Sequence, residues 1–305
     1  MKIAILTSGG DAPGMNAAVI NLIHYGMQQN YEIYLIEDGY EGLLDNKFLV
    51  VDDENKYDEY LTQAGSFIYS SRSKRFMHDY VLAIDNLKQH QIDYLIVIGG
   101  NGSYLGVQLL KSEIKTIFIP ASIDNDINFS DYSLGFASAT QEIVIQAEKL
   151  RSTFRSHKNI VFLEVMGRYC SDLANAASKQ INPTLVLTHE HKLSVTAIVN
   201  SIDEWYKKNH YGIVIVSEYV YSNEEKQLII EKLQNKILCQ VRWNVLGYSQ
   251  RGALVQSYDL STAQKMANLA IEQIVQNKSN VAICQENNEL LAKSYQTLNI
   301  QESKG

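Results

Sequence analysis

Short apolar runs alternate with longer helical segments along most of this chain, and that rhythm restricts the fold more than any other feature. Residues 3–6, 33–36, 94–98 and 116–119 are rich in Ile, Val, Leu and Tyr and have the length of strands buried on both faces. Residues 16–28, 78–89 and 104–110 lie between or after them with helical spacing. Parallel neighbours need a crossover, and crossover helices cover both faces of a sheet, so the pattern predicts α/β architecture around parallel strands. The rhythm returns with strands at 160–165, 184–188 and 213–217 and helices at 172–179, 194–207 and 224–234. At 305 residues there is chain enough for two domains. No linker, low-complexity tract or fixed-period repeat separates the halves. Two tightly joined domains are therefore expected, with the helical segment 138–149 carrying the chain from one into the other.

Composition removes several classes of function. Hydrophobic residues make up 46% and charged residues 20%, the balance of a globular protein rather than a disordered one. The 27 basic residues are outnumbered by 34 acidic ones, which argues against a nucleic-acid surface and leaves room for a phosphorylated metabolite held by a few local donors. The opening Met1-Lys2-Ile3-Ala4-Ile5-Leu6 reaches glycine too soon for a signal peptide, and no later stretch is apolar enough to span a bilayer. Cys170, Cys239 and Cys284 are odd in number and far apart, so a disulfide framework or zinc site is not predicted and a reduced, cytoplasmic setting is.

Three loops carry the chemistry. The first apolar strand runs into Thr7-Ser8-Gly9-Gly10-Asp11-Ala12-Pro13-Gly14-Met15-Asn16. Glycines there let the main chain approach a ligand, and the N–H groups opening the next helix favour an anion. The spacing is neither the Gly-x-Gly-x-x-Gly of dinucleotide sites, which disfavours a nicotinamide dehydrogenase, nor the Gly-Lys-Ser/Thr ending of a P-loop. Alone, the loop fits a tight strand-to-helix connection equally well. A second one, Gly99-Gly100-Asn101-Gly102-Ser103, follows another apolar strand. Two such loops at the carboxyl ends of strands in one sheet can face a single phosphate chain. The third segment is Pro120-Ala121-Ser122-Ile123-Asp124-Asn125-Asp126. One of its carboxylates can take a proton from an attacking hydroxyl while the other holds magnesium. An acidic turn capping a helix is the plainer alternative for that segment taken singly.

These segments, with Met166-Gly167-Arg168-Tyr169-Cys170 and Leu246-Gly247 through Gln250-Arg251-Gly252, resemble the bacterial ATP-dependent members of the phosphofructokinase family in order and spacing, from Met1 to about residue 290. The resemblance implies two Rossmann-like three-layer α/β/α domains. Residues 1–137 and 250–289 would form the larger, ATP-binding one, and residues 138–249 and 290–305 the smaller, sugar-phosphate-binding one. It implies transfer of the ATP γ-phosphoryl group to the 1-hydroxyl of fructose 6-phosphate. Asp124 would take the hydroxyl proton, Ser122 would sit beside the transferring group, Gly10 would line its path and Arg72 would neutralise its charge. Gly10, Tyr40, Arg72, Gly100, Asn101, Gly102 and Ser103 would surround ATP, and Asp126 with Asn101 would meet the Mg2+. Ser122, Asp124, Asp126, Met166, Gly167, Arg168, Glu218, Arg242, Tyr248 and Arg251 would form the sugar-phosphate side. Arg242 would reach a neighbouring copy, so a homotetramer or other homo-oligomer is implied, with no nucleic-acid or membrane partner.

The sequence also departs from the family pattern. Asn101 replaces an aspartate expected at the metal, keeping its shape and losing its charge. Asn159 stands for an arginine that crosses to the neighbouring subunit's sugar phosphate, and Tyr248 for a histidine. At the family's effector site Ile20 and His24 replace arginines and Thr184 a glutamate, while Arg151 remains, so the usual effector control is not expected. Gly102 and Ala121 lack the lysines of pyrophosphate-using members, which favours ATP. Asn101 and Asn159 leave a rival reading open: a weak or inactive homologue that binds nucleotide or sugar phosphate and regulates a partner. The acidic run Asp52-Asp53-Glu54, His189, His191 and the tail at 301–305 have no assigned role and read as solvated faces and a frayed end.

Overall fold

Apolar residues 3–6 lie on an interior strand of a seven-stranded sheet in the computed structural model of the chain, which describes residues 1–298. In chain order its first elements are β1 (Lys2–Ser8), α1 (Met15–Gln28), β2 (Glu32–Ile36), α2 (Gly39–Leu44), β3 (Phe48–Val50), α3 (Phe76–Gln89), β4 (Tyr94–Gly99), α4 (Asn101–Leu110) and β5 (Lys115–Pro120). α5 (Phe136–Ser156) leads to β6 (Ile160–Val165), α6 (Asp172–Ile181), β7 (Leu185–Leu187), α7 (Val195–Asn209), β8 (Gly212–Ser217), α8 (Asn223–Ile237) and β9 (Val241–Val245). α9 (Ser257–Val275), β10 (Val281–Glu286) and β11 (Glu289–Ser294) follow.

The chain divides into two compact units. The first takes Met1–Ile123, Ile127–Ser138 and, among the described residues, 254–298; the second takes Asp124–Asp126 and Ala139–Ala253. In the first, the strand order is β11-β10-β5-β4-β1-β2-β3. Five central strands run parallel, while β3 and β11 lie antiparallel at the two edges. β4 is buried along its whole length and β1 almost so, which explains their unbroken apolar runs. The second unit carries β7-β8-β6-β9, all parallel. Its core lines up Ile160, Phe162, Val214, Val216, Ile198, Ile202, Ile229 and Leu233.

The predicted α/β class is present, and both sheets are parallel apart from the antiparallel edge strands β3 and β11 of the first. Several parts of the expected division differ: Asp124–Asp126, expected in the larger domain, fall in the second unit, and Ser138 falls in the first. Residues 290–298 belong to the first unit rather than the smaller one, because β11 pairs along its length with β10, from Glu289 opposite Glu286 to Ser294 opposite Val281. Residues 250–253 fall in the second unit. The tail at 301–305 lies outside the described residues. β9 and the returning α9, β10 and β11 are further elements that the alternation of apolar runs did not reveal.

Candidate functional site

In the first unit β1 connects onward to one side of the sheet and β4 to the other, so the gap between these paired strands is a topological switch point. Such gaps collect ligands at their carboxyl ends. Both glycine loops sit there, one after Ser8 and one after Gly99. Ser103 Oγ donates to the carbonyl oxygen of Ser8 at 2.9 Å and ties the loops together. Gly99 is obligatory, since a Cβ there would lie 2.4 Å from Ser103 Oγ and 2.5 Å from Ser8 O. At Gly102 a Cβ would meet nothing within 4 Å, while Ala121 is buried against β4's end with its N–H on Gly99 O.

Tyr40 lies beneath the second loop. It is 3% exposed, stacks on Phe76 with ring centroids 3.9 Å apart, and its hydroxyl donates to Ser103 O at 2.7 Å. Its direct contribution is to support the loop. Residues 69–71 lace onto the first loop: Thr7 Oγ1 donates to Tyr69 O, Gly9 N to Ser71 O and Ser70 Oγ to Gly9 O. The exposed Arg72 is the next residue along. Arg75, in the same basic cluster, is held by Glu41 at 2.5 Å and Asp45 at 2.6 Å, whereas Arg72 and Lys74 are exposed. Asn101 opens α4, and Ser122 follows β5, its carbonyl accepting from Ser133 Oγ at 2.5 Å.

In the second unit Asp124 is 6% exposed. Burial, then the neighbouring Asp126 carboxylate, pushes its pKa up to about 6, with Glu218 adding to the rise and Arg251 and Arg168 opposing it. A carboxylate so poised exchanges a proton near neutral pH. The structure thus brings Asp124, Asp126, Arg168, Glu218 and Arg251 into one electrostatic group. Loop 166–168 follows β6 and Glu218 follows β8, at the carboxyl ends of adjacent strands. Glu218 Oε1 accepts from Gly167 N at 3.1 Å and Arg168 N at 2.6 Å. Gly167 has φ 136 and a Cβ on it would stand 2.4 Å from Cys170 O, so only glycine makes this turn. Arg251 is 8% exposed, Tyr248 81%, and Arg242 lies exposed on β9.

Some contributors went unseen in the sequence. Gln250, fully buried, accepts from Met166 N through Oε1 at 3.1 Å; it lay inside a quoted motif without a role. Asp259, also fully buried, accepts from Tyr132 Oη (2.6 Å), Gly135 N (2.8 Å), Ser138 N (2.9 Å) and Ser138 Oγ (2.5 Å). It fixes the turn between Ser122 and α5, and no local pattern announces it. Several residues that depart from the family have structural work. Asn159 Oδ1 accepts from Gln240 N, His24 meets Asp58 at 2.8 Å, Thr184 Oγ1 accepts from Ile213 N, and Ile20 is fully buried.

Among the described residues no group of three or more His, Cys, Asp or Glu side chains can hold a metal by itself, and no helix is long and apolar enough to cross a membrane. An octahedral cation that arrives with phosphates needs only one or two protein oxygens, and Asp126, half-buried beside Asp124, suits that demand.

A family model described as Phosphofructokinase matches residues 2–274. The ATP-dependent 6-phosphofructokinase of Buchnera aphidicola subsp. Schizaphis graminum is 35% identical over 294 residues, covering 95% of this chain and 91% of that protein. Phosphofructokinase from Pichia pastoris, solved in the T-state, superposes with a TM-score of 0.87 at 25% identity; the match covers 96% of this chain and 34% of the longer yeast chain. A pyrophosphate-dependent phosphofructokinase from Marinobacter aquaeolei shares the fold, with a TM-score of 0.84 at 21% identity over 96% of this chain and 81% of that one.

Proposed function

The chain belongs to the phosphofructokinase family, and we propose that it transfers the γ-phosphoryl group of ATP to the 1-hydroxyl of fructose 6-phosphate, giving fructose 1,6-bisphosphate and ADP, a step of glycolysis. The observation that carries this reading is the buried Asp124, raised to about 6 by desolvation and by Asp126, among two arginines and a glutamate.

Asp124 accepts the proton of the 1-hydroxyl as its oxygen attacks the γ-phosphorus, and the bond to the bridging oxygen of ADP breaks. Arg168 and Arg251 offer planar forks to the 6-phosphate, and Glu218, Met166 and Gly167 frame the sugar. On the donor side, Gly10 and the Gly100–Ser103 turn present main-chain N–H groups to the phosphates, with Tyr40 beneath and Arg72 supplying positive charge beside Ser122. Magnesium, bound with ATP, neutralises charge on the phosphates; Asp126 and Asn101 are the residues that would hold it. Open space at Gly102 and the absence of a lysine there or at Ala121 support ATP over pyrophosphate. Arg242 and Tyr248, exposed on and after β9, suit a sugar-phosphate side completed by a second copy in a homotetramer. Free Cys170, Cys239 and Cys284 are in keeping with a reduced cytoplasmic setting.

ADP release with MgATP and fructose 6-phosphate tests the proposal, with Asp124→Asn as control and pyrophosphate as rival donor. Sugar-dependent turnover with ATP that collapses in the variant is expected. Turnover no greater than that of the variant, across a wide range of both substrates, would overturn it.

A further inference from the structure

Strands β7, β8 and β6 lie side by side in that order, and each delivers a loop to the same edge of the second sheet. The loops after β6 and β8 hold Arg168 and Glu218. The loop after β7 holds His189, two residues beyond Leu187. Its imidazole Nε2 stands 3.0 Å from the carbonyl oxygen of Arg168 and 3.0 Å from that of Glu218. Both partners are acceptors only, so Nε2 carries a hydrogen and donates to the pair in a three-centre bond.

The two carbonyls belong to strained turns. Arg168 has φ 53 and Tyr219, the residue after Glu218, has φ 64. Side chains other than glycine stay in the left-handed region only where their surroundings hold them. The Glu218 carboxylate braces the pair from the amide side by accepting from Gly167 N and Arg168 N. His189 braces it from the carbonyl side. Tyr169 and Tyr219 border the imidazole region, with Tyr169 5.8 Å from the His189 ring and 5.9 Å from the Tyr219 ring.

We propose that His189 is a positioning residue for the sugar-phosphate side: its bridging N–H sets the spacing between the Arg168 and Glu218 turns, and with it the fit of the phosphorylated sugar. The inference rests on the reading above, in which Arg168 and Glu218 face that substrate. His189 acts through the main chain of the two turns, so its removal should alter recognition of the acceptor and leave the donor side of the reaction alone.

The test compares His189→Ala with His189→Gln, whose amide N–H reaches about as far as imidazole Nε2. KM for fructose 6-phosphate, KM for ATP, kcat, thermal midpoint and calorimetric binding of fructose 6-phosphate are measured on the full chain. The alanine variant should raise KM for the sugar phosphate about 3- to 10-fold, the loss of one part-buried bridging bond. KM for ATP should stay within about twofold, and glutamine should recover most of the deficit. Equal rises in both KM values, or a lowered thermal midpoint with unchanged sugar-phosphate KM, would reduce His189 to a fold-stabilising residue and overturn the inference. Wild-type chain that neither binds nor turns over fructose 6-phosphate would overturn the underlying reading and the inference with it. Wild-type binding that both variants match would overturn the inference alone.

Discussion

The candidate site residues of the two units are made of different materials. In the first unit the loops after β1 and β4 are shaped by glycine and main chain, and their sharpest requirement is an absence of side chain at Gly99. In the second, the work is done by charged side chains around one buried carboxylate. Loops built from main chain depend on shape, so they should tolerate loss of a charge, as at Asn101, provided the backbone path is kept. A group of charged side chains depends on balance among charges, so single neutralisations there should be felt strongly.

The largest effect should therefore fall on Asp124. Asp124→Asn removes the proposed base and should lower kcat about 10²- to 10⁴-fold. The same change should stabilise the fold at neutral pH. Burial and Asp126 raise this carboxyl to about 6, above its unfolded value near ~3.9. Protonation then favours the folded chain, and that contribution is complete below about pH 4 and lost as pH rises through about 6. At pH 7.5 the asparagine variant should gain about 1–3 kcal/mol in urea unfolding. The wild type's kcat/KM should fall about tenfold per pH unit below about 6. A less stable variant at neutral pH would show that the ionised carboxylate is compensated better than its burial suggests.

Next comes Arg251, nearly as buried as Asp124. Arg251→Ala should raise KM for fructose 6-phosphate about 10- to 100-fold, the worth of a charge-assisted hydrogen bond. It should also move the acid limb of the pH profile upward, because the arginine opposes the rise at Asp124. The smallest change is expected on the glycine side. Asn101→Asp should improve turnover with MgATP by about tenfold or less, with manganese narrowing the gap between the two. A gain of several orders of magnitude would break the contrast, making charge as decisive in the first unit as in the second.

Much of this arrangement was legible because it is local. A buried parallel strand writes itself as an unbroken apolar run, and a glycine loop directly after it is contiguous in sequence; β1, β4 and both loops were therefore readable. β9 was not, since Val241–Val245 is half exposed and mixes Arg242 and Asn244 with apolar residues. The returning strand β10 was missed because its partner β5 precedes a long excursion of the chain, and β11, a two-residue hairpin away, because none of its residues is fully buried. The same distinction holds in the site. Asp124 and Asp126 stand together in one motif, whereas Asp259 acts on residues 121–127 positions away and His189 on carbonyls 21 and 29 positions away. Bonds to main-chain atoms leave no partner residue type in the sequence to betray them.

The return of residues 254–298 to the first sheet has a consequence for biosynthesis. β5 finds its neighbour β10, and the turn before α5 finds Asp259, only after the whole segment from 139 to 253 has emerged from the ribosome. At about 5–20 residues per second that interval is roughly 6–23 s. The four strands of the second sheet are contiguous in the chain and can finish in that time, so the unit begun first should be the last to close. During the delay β5 presents an unpaired edge, and a nascent chain stalled near residue 250 would be an aggregation-prone species.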